Sequence, residues 1–158
     1  MAVDPDTFRA ALGRFASGVT IVTARDATGR DHGMTVSAFC SVSLDPPLVL
    51  ACIGHEASMH PVIAREERFG VSVLAVSQEA LARRFADQRS DRFDGVGYTR
   101  GQLGVALLDD ALAHLECTVV DRRDAGDHTV VVGRVEAAST AQDRPLVYYR
   151  GGYTQLER

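Results

Sequence analysis

The sequence predicts a mainly β protein, a closed antiparallel barrel with a few short helices added. Three observations lead there: about seven extended segments against three short helical ones, turn-rich hairpin links in place of βαβ crossovers, and no internal repeat. Closure is the economical arrangement, because it removes strand edges that would otherwise pair with other chains. With 158 residues the chain is expected to form one domain over residues 1–158, enough to bury roughly two-thirds of its unfolded surface.

Each element has a local cause. In DPDTFRAALGRFASG, Asp4 or Asp6 caps a helix whose Phe8, Ala11, Leu12 and Phe15 recur at helical spacing, with Gly18 as its stop. Residues 19–39 read as a hairpin, VTIVTARD and MTVSAF joined by the turn-rich ATGRDHG. After LDPP, the continuous apolar run LVLACI is expected to be a strand buried on both faces. EASMHPVIAREE suits a short helix with Pro61 in its first turn, and RFGVSVLAV the next strand. SQEALARRFADQ follows as a helix capped by Ser77, with Ala80, Leu81 and Phe85 at helical spacing. Residues 88–104 have no clean period and read as a long loop, a length that usually serves function in a compact domain. ALAHLECTVVDRR and HTVVVGRVEAA make a hairpin about DAGD, and PLVYYRGGY supplies a last short strand.

Composition removes several classes of function. The chain carries 17 basic and 21 acidic residues, a net charge of −4, which lends no general attraction for nucleic acid. No apolar run approaches the ~18 to 20 residues of a membrane span. The start, MAVDPDTFRAAL, lacks the basic and apolar stretches of a secretory signal, which points to the cytoplasm. Every basic residue is arginine, so a lysine Schiff base, a P-loop lysine and a lysine general base are all excluded. Cys40, Cys52 and Cys117, odd in number and widely spaced, suit reduced, buried thiols better than a disulfide framework or a zinc site. His55 and His60 of HEASMH would lie about 140° apart around a helix, where one metal could not easily reach both. GVGYTRG departs from the dinucleotide fingerprint, and neither a nucleophile elbow nor a P-loop is present.

What stands out is a run of small side chains. GMTVSAFCSVSLDPPLVLACI, residues 33–53, offers Thr35, Ser37, Ala38, Ser41 and Ser43 where a core would call for Leu and Phe. Such residues leave a flat, shallow groove whose hydroxyls and backbone amides can meet the rim of a planar polar heterocycle. Plain strand and turn residues would have the same composition.

That run, with FASGVTIVT before it, RFGVSVLAVSQEALARRFA in the middle, then HLECTVVDRRDAGDHTVVVGRV and PLVYYRGGY, resembles the flavin reductase family. These are short-chain NAD(P)H:flavin oxidoreductases with the FMN-binding split-barrel fold, which supply reduced flavin to a partner monooxygenase. The resemblance runs from about Phe8 to Tyr153. It implies a split antiparallel β-barrel, FMN or FAD as the flavin, NADH or NADPH as donor, and hydride transfer from nicotinamide C4 to flavin N5. The two rings would stack at about 3 to 3.5 Å.

The resemblance also implies site residues. Thr35, Val36, Ser37 and Ala38 would run along the isoalloxazine and ribityl chain, Ser41, Val42 and Ser43 would continue that wall, and Ala51, Cys52 and Ile53 would offer backbone opposite. Ser58 is similar to the family's phosphate-facing serine, and Phe85, Ala86, Arg89 and Arg92 lie where relatives contact the distal flavin nucleotide; Tyr153 completes the set. A guanidinium suits phosphate geometry, although Arg83, Arg84, Arg89 and Arg92 alternate with Asp87, Asp91 and Asp94 as a solvated face does. In the AGDH turn, Gly126 can take a positive φ, and the resemblance puts His128 beside the nicotinamide or flavin ring as the catalytic residue. His32, His55 and His114 have no such context and read as structural. A homodimer is implied as well. The competing reading is a non-catalytic flavin- or haem-binding split-barrel protein that stores or senses its ligand; a tightly bound FMN oxidase is a third.

Overall fold

Asp4 starts the fold. In the computed structural model, which describes residues 1–157, its carboxylate accepts the Thr7 N–H at 2.9 Å and caps α1 (Pro5–Leu12). The helix ends at Leu12, well before Gly18, with Gly13 as its C-cap, whose carbonyl accepts the Arg150 N–H at 3.0 Å. Phe15 therefore lies outside the helix that its spacing suggested.

The chain continues through β1 (Ser17–Gly18), β2 (Thr20–Arg25), β3 (Asp31–Val36), β4 (Phe39–Ser43), β5 (Leu48–Gly54), α2 (His60–Ile63) and β6 (Arg68–Val73). After a 3-10 turn (Val76–Gln78) come α3 (Glu79–Ala86), β7 (Tyr98–Arg100), β8 (Ala106–Leu108), β9 (Ala113–Ala125), β10 (His128–Thr140), β11 (Leu146–Tyr149) and β12 (Gly152–Gln155). One antiparallel sheet of seven strands, in the order β3-β2-β6-β9-β10-β5-β4, curls around the core. Its two edges, β3 and β4, are consecutive in the chain and joined only by Ser37 and Ala38. The barrel is thus split at this seam and not closed by a ladder. A second sheet, β1-β11-β12, and the β7–β8 hairpin complete the fold.

Two apolar clusters hold these parts together. Inside the barrel, Val22, Val49, Ile53, Met59, Phe69, Val71 and Val131 pack as one group, and outside it Val19, Ile21, Leu74, Ala82, Phe85, Leu108 and Leu146 pack beneath α3. α3 and β8 cover β2, so Thr20 through Ala24 are all buried. β5 lacks such a layer and was expected to be buried on both faces; instead Val49, Ala51 and Ile53 are buried while Leu48, Leu50 and Cys52 are only partly so.

Other expectations need correction. Ser77 lies within the 3-10 turn, and the buried Gln78 does the work of a cap, its Oε1 accepting the Ala75 N–H and its Nε2 donating to the Asp109 carbonyl, both at 2.9 Å. The expected loop 88–104 contains β7, whose three residues are all exposed and so carry no alternation to read. PLVYYRGGY is a hairpin and not one strand, because Arg150 and Gly151 turn at φ 52° and 76°. Cys40 is exposed on the β4 edge, unlike the buried Cys117, whose thiol is pushed up to about 12 by burial and then by Glu136 and Glu116. No helix among the described residues is long and apolar enough to cross a membrane.

Opposite the step where β9 bulges at Val120, Gly133 of β10 lets the buried Phe69 ring lie across the strand: a Cβ there would stand 2.5 Å from the ring and 3.0 Å from Cys117 Cβ. Gly133→Ala should therefore destabilise the fold by about 1–3 kcal/mol, the usual range for overpacking. The effect should be seen as a lower urea midpoint with an unchanged slope.

Candidate functional site

The seam is where the small side chains converge. Ser37 and Ala38 are exposed, and the Ser37 carbonyl accepts the Phe39 N–H at 2.9 Å in a tight three-residue turn. Phe39 pairs with Ala51, and the Cys52 N–H donates to the Ala38 carbonyl at 3.0 Å, so the seam lies beside the middle of β5. Two buried or half-buried hydroxyls fix the β3 side. Thr20 Oγ1 donates to the Val36 carbonyl at 2.7 Å and Thr35 Oγ1 to the Ala82 carbonyl of α3 at 2.6 Å. The Thr35 proton, expected to face a ligand, is therefore spent on the fold.

One hollow, of about 180 Å³, opens at the seam, lined by Val19, Thr35, Ser37, Ala86, Tyr148 and Tyr153. The two tyrosine rings stand 5.5 Å apart, with the Arg83 guanidinium 5.0 Å from the centre of Tyr153. Burial, with Tyr148 adding, pushes the Tyr153 phenol up.

A second hollow, of about 270 Å³, gathers Ser58, Arg89 and Arg92 with Arg30, His32 and Ser90. Its arginines have different jobs. Arg92 Nη1 donates to the Gly33 carbonyl at 2.7 Å and its other nitrogens to the Asp87 carbonyl; burial lowers its pKa. Arg84 donates to the carbonyls of Arg92 at 2.8 Å, Asp91 at 2.9 Å, and Asp94. These two staple the 87–94 segment. Arg89 is forked onto the Asp91 carboxylate at 2.6 and 2.9 Å, which holds Asp91 down at about 2, and its side chain is 42% exposed at the rim. A wider trough of about 820 Å³, lined by Arg25, Arg65, Arg68, Glu66 and Glu67 among others, gathers none of the expected residues.

His128 occupies a third position, opposite Gly54 on β5, at the end of the turn made by Gly126 (φ 62°) and Asp127. Its Nε2 is 3.7 Å from where a Gly54 Cβ would stand, so the ring lies against the end of β5. Nδ1 pairs with Asp127 Oδ1 at 2.7 Å, which lowers the Asp127 pKa, and the imidazole is half exposed. His55 N–H donates to the Asp127 carbonyl at 2.9 Å and ties this turn to the segment after β5.

The structure thus brings Thr35, Ser37, Ala86 and Tyr153 to one hollow and Ser58, Arg89 and Arg92 to another, with Ala38 and Cys52 in contact between β4 and β5. Val36, Ala51, Ile53 and Phe85 are core residues at 3%, 1%, 0% and 0% exposure. The Phe85 ring packs edge-on to Phe93 at 5.0 Å and under Gly33, where a Cβ would come within 2.9 Å of it; an amphipathic helix turns Phe85 inward, against the expectation of ligand contact. Ser41, Val42 and Ser43 lie in neither hollow, Ser41 and Val42 being exposed on the β4 edge. His55 precedes α2 and is not on it, so the helical-angle argument fails: the His55 and His60 rings meet at 5.0 Å. Among the described residues no group of three or more metal-ligating side chains forms. Val19 and Tyr148 escaped the sequence reading. Tyr148 had a signal, the paired aromatic of PLVYYRGGY; Val19, a core-like valine, had none.

The barrel is split at a two-residue seam with small exposed side chains, tyrosine rings line one hollow and arginines stand at another. The chain belongs to the flavin reductase like domain family, whose family model matches residues 12–157. It is similar to the NADH-dependent flavin reductase of a Rhodococcus species, 48% identical over 157 residues, covering 98% of this chain and 88% of that one. The reductase subunit HsaB of a flavin-dependent monooxygenase from Rhodococcus jostii is 41% identical over 157 residues, with 99% and 80% covered. Among solved structures, the Streptomyces globisporus NADH:FAD oxidoreductase SgcE6, in complex with NAD and FAD fragments, superposes with a TM-score of 0.92 at 38% identity, over 99% of this chain and 96% of that one.

Removing the Arg84 staple frees three carbonyls of the segment beside the arginine-lined hollow. Arg84→Met should make residues 87–97 a preferred site of limited proteolysis, cleaved at least about tenfold faster than in the parent, as expected for local opening that costs ~1.4 kcal/mol less.

Proposed function

We propose that the chain is an NADH-dependent flavin reductase, a single domain that assembles as a homodimer in the cytoplasm and hands reduced FMN or FAD to a separate monooxygenase. The observation that carries this reading is the seam, where exposed Ser37 and Ala38 lie against Cys52 at an edge of the sheet that no strand covers. An isoalloxazine suits this edge: Ser37 and Ala38 put no bulky side chain at the seam itself, and Val19, Tyr148 and Tyr153 flank the hollow beside it. Ser58 and the rim guanidinium of Arg89 supply hydroxyl and charge for the phosphate end. When bound, the flavin contributes a ring that accepts hydride. The chain's own residues bind, orient and exclude. Ser37 and Ala38 keep the groove open, and Asp127 holds His128 with Nδ1–H as donor, leaving Nε2 to face a nicotinamide. Backbone amides at the ring's rim need no acid or base side chain to stabilise developing charge. The relatives' names favour NADH as donor and a monooxygenase as recipient. Three free thiols suit a reducing compartment.

A second copy is the best occupant for the apolar surface left uncovered. No residue of α1 is buried, yet Phe8, Leu12 and Phe15 are 56%, 52% and 79% exposed; Val42 and Leu44, next to the seam, are exposed too.

Purified protein with NADH and excess FMN or FAD should oxidise NADH through many turnovers; a rate no higher than that of free flavin would overturn the reading. Ser37→Trp should weaken flavin binding about 100-fold or more, roughly 2.7 kcal/mol, with the melting temperature nearly unchanged because Ser37 is exposed. Sedimentation of the parent should give a dimer, and Phe8→Asp with Leu12→Asp a monomer; a monomeric parent would remove the second copy.

A further inference from the structure

Behind the turn that carries His128 lies a polar network that the proposed reaction has not used. Asp124 and Thr129 are cross-strand partners at the tip of the β9–β10 hairpin. Thr129 is 5% exposed, and its hydroxyl donates to Asp124 Oδ1 at 2.9 Å. That spends its only proton, so the same oxygen can only accept from His60 Nε2, 2.9 Å away. The tautomer of His60 follows: Nε2 carries hydrogen. His55 Nε2 reaches the same Asp124 oxygen at a longer 3.4 Å, with its ring edge-on to that of His60. Together the hydroxyl and the imidazole hold the Asp124 carboxyl below its ordinary range.

The network joins two pieces of chain that the candidate site needs in register. On one side is the hairpin tip with Gly126, Asp127 and His128; on the other is the segment 54–60, which carries Ser58. Their other links are the His55 to Asp127 backbone bond and the His128 to Gly54 pairing. A buried hydroxyl with both roles taken, one histidine on it and a second on its carboxylate partner, is more polar machinery than a hairpin tip needs for stability alone.

We infer that Asp124, Thr129 and His60 form a latch that holds the His128 turn onto the end of the 54–60 segment at His60 and thereby sets the affinity for NADH far more than that for flavin. This rests on the reading of His128 as the nicotinamide-facing residue. Thr129→Val keeps the shape and removes the hydroxyl; Thr129→Ser keeps the hydroxyl.

In the purified protein, Thr129→Val should raise KM for NADH about tenfold, change the flavin Kd less than twofold, and speed amide exchange in residues 125–128 about tenfold. Thr129→Ser should restore all three. In a double-mutant cycle Thr129→Val should add nothing to the NADH defect of His128→Ala, since both act through one ring. His128→Ala with a parental NADH KM overturns the nicotinamide reading. Raised KM in His128→Ala beside parental KM in Thr129→Val, or unchanged exchange at 125–128 in Thr129→Val, overturns the latch alone. Equal losses for NADH and flavin in Thr129→Val, with no rescue by Ser, overturn it too.

Discussion

The structure turns on a short bridge. A curled sheet of seven strands must either zip its first edge to its last or find another way to hold them together, and here the chain itself makes the crossing in two residues, Ser37 and Ala38. So short a link fixes how close β3 and β4 can lie while leaving the facing backbone groups without a ladder. Unpaired edges are ordinarily a hazard, because they invite other strands. In this protein the hazard is contained by local bonds: Thr20 takes the Val36 carbonyl, the Ala38 carbonyl takes the Cys52 amide, and Phe39 closes back on Ser37. Opening the barrel at one seam costs some cooperativity in the ladder. It also produces a slot whose walls are backbone.

Around that slot, arginine is used in two ways. Arg84 and Arg92 spend their donors on carbonyls and give an otherwise irregular segment a fixed shape, and Arg100 clamps Asp31 with two bonds of 2.6 and 2.9 Å at the base of β3. A planar fork with several donors suits this better than an ammonium would. Arg89 instead stays at the rim, paired with Asp91 through an exposed contact whose worth to stability is small. The alternating charges of residues 83–94 thus form neither a plain solvated face nor a uniform binding patch.

Much of the fold could be read from the residues, since strands with a buried face announce themselves. The hairpins at β2–β3 and β9–β10 followed from alternation and turn chemistry, and the helix over α3 from its apolar spacing. Short elements were harder. β7 is exposed throughout and the 3-10 turn is anchored by a glutamine, so neither displays periodicity or a recognised cap. For the site, resemblance pointed to Ser58, Arg89, Ala86 and Tyr153, which line hollows, but it could not tell such a side chain from one buried beneath it. Phe85 shows the difference, as does Thr35, whose hydroxyl faces α3. The contacts among His55, His60, Asp124 and Thr129 join positions up to 69 residues apart, and no local pattern signals them.

The strand order has a consequence for how the molecule is made. By the end of β6 a ribosome has released both flanks of the barrel, β3-β2-β6 on one side and β5-β4 on the other, yet the strands that lie between them, β9 and β10, are the last of this sheet to arrive. Until β9 and β10 emerge, the inner edges of β6 and β5 lack the strands they pair with, and the two flanks are linked through the seam. The β9–β10 hairpin must pair with β6 on one side and β5 on the other, and long-range pairing of that kind is intrinsically slow.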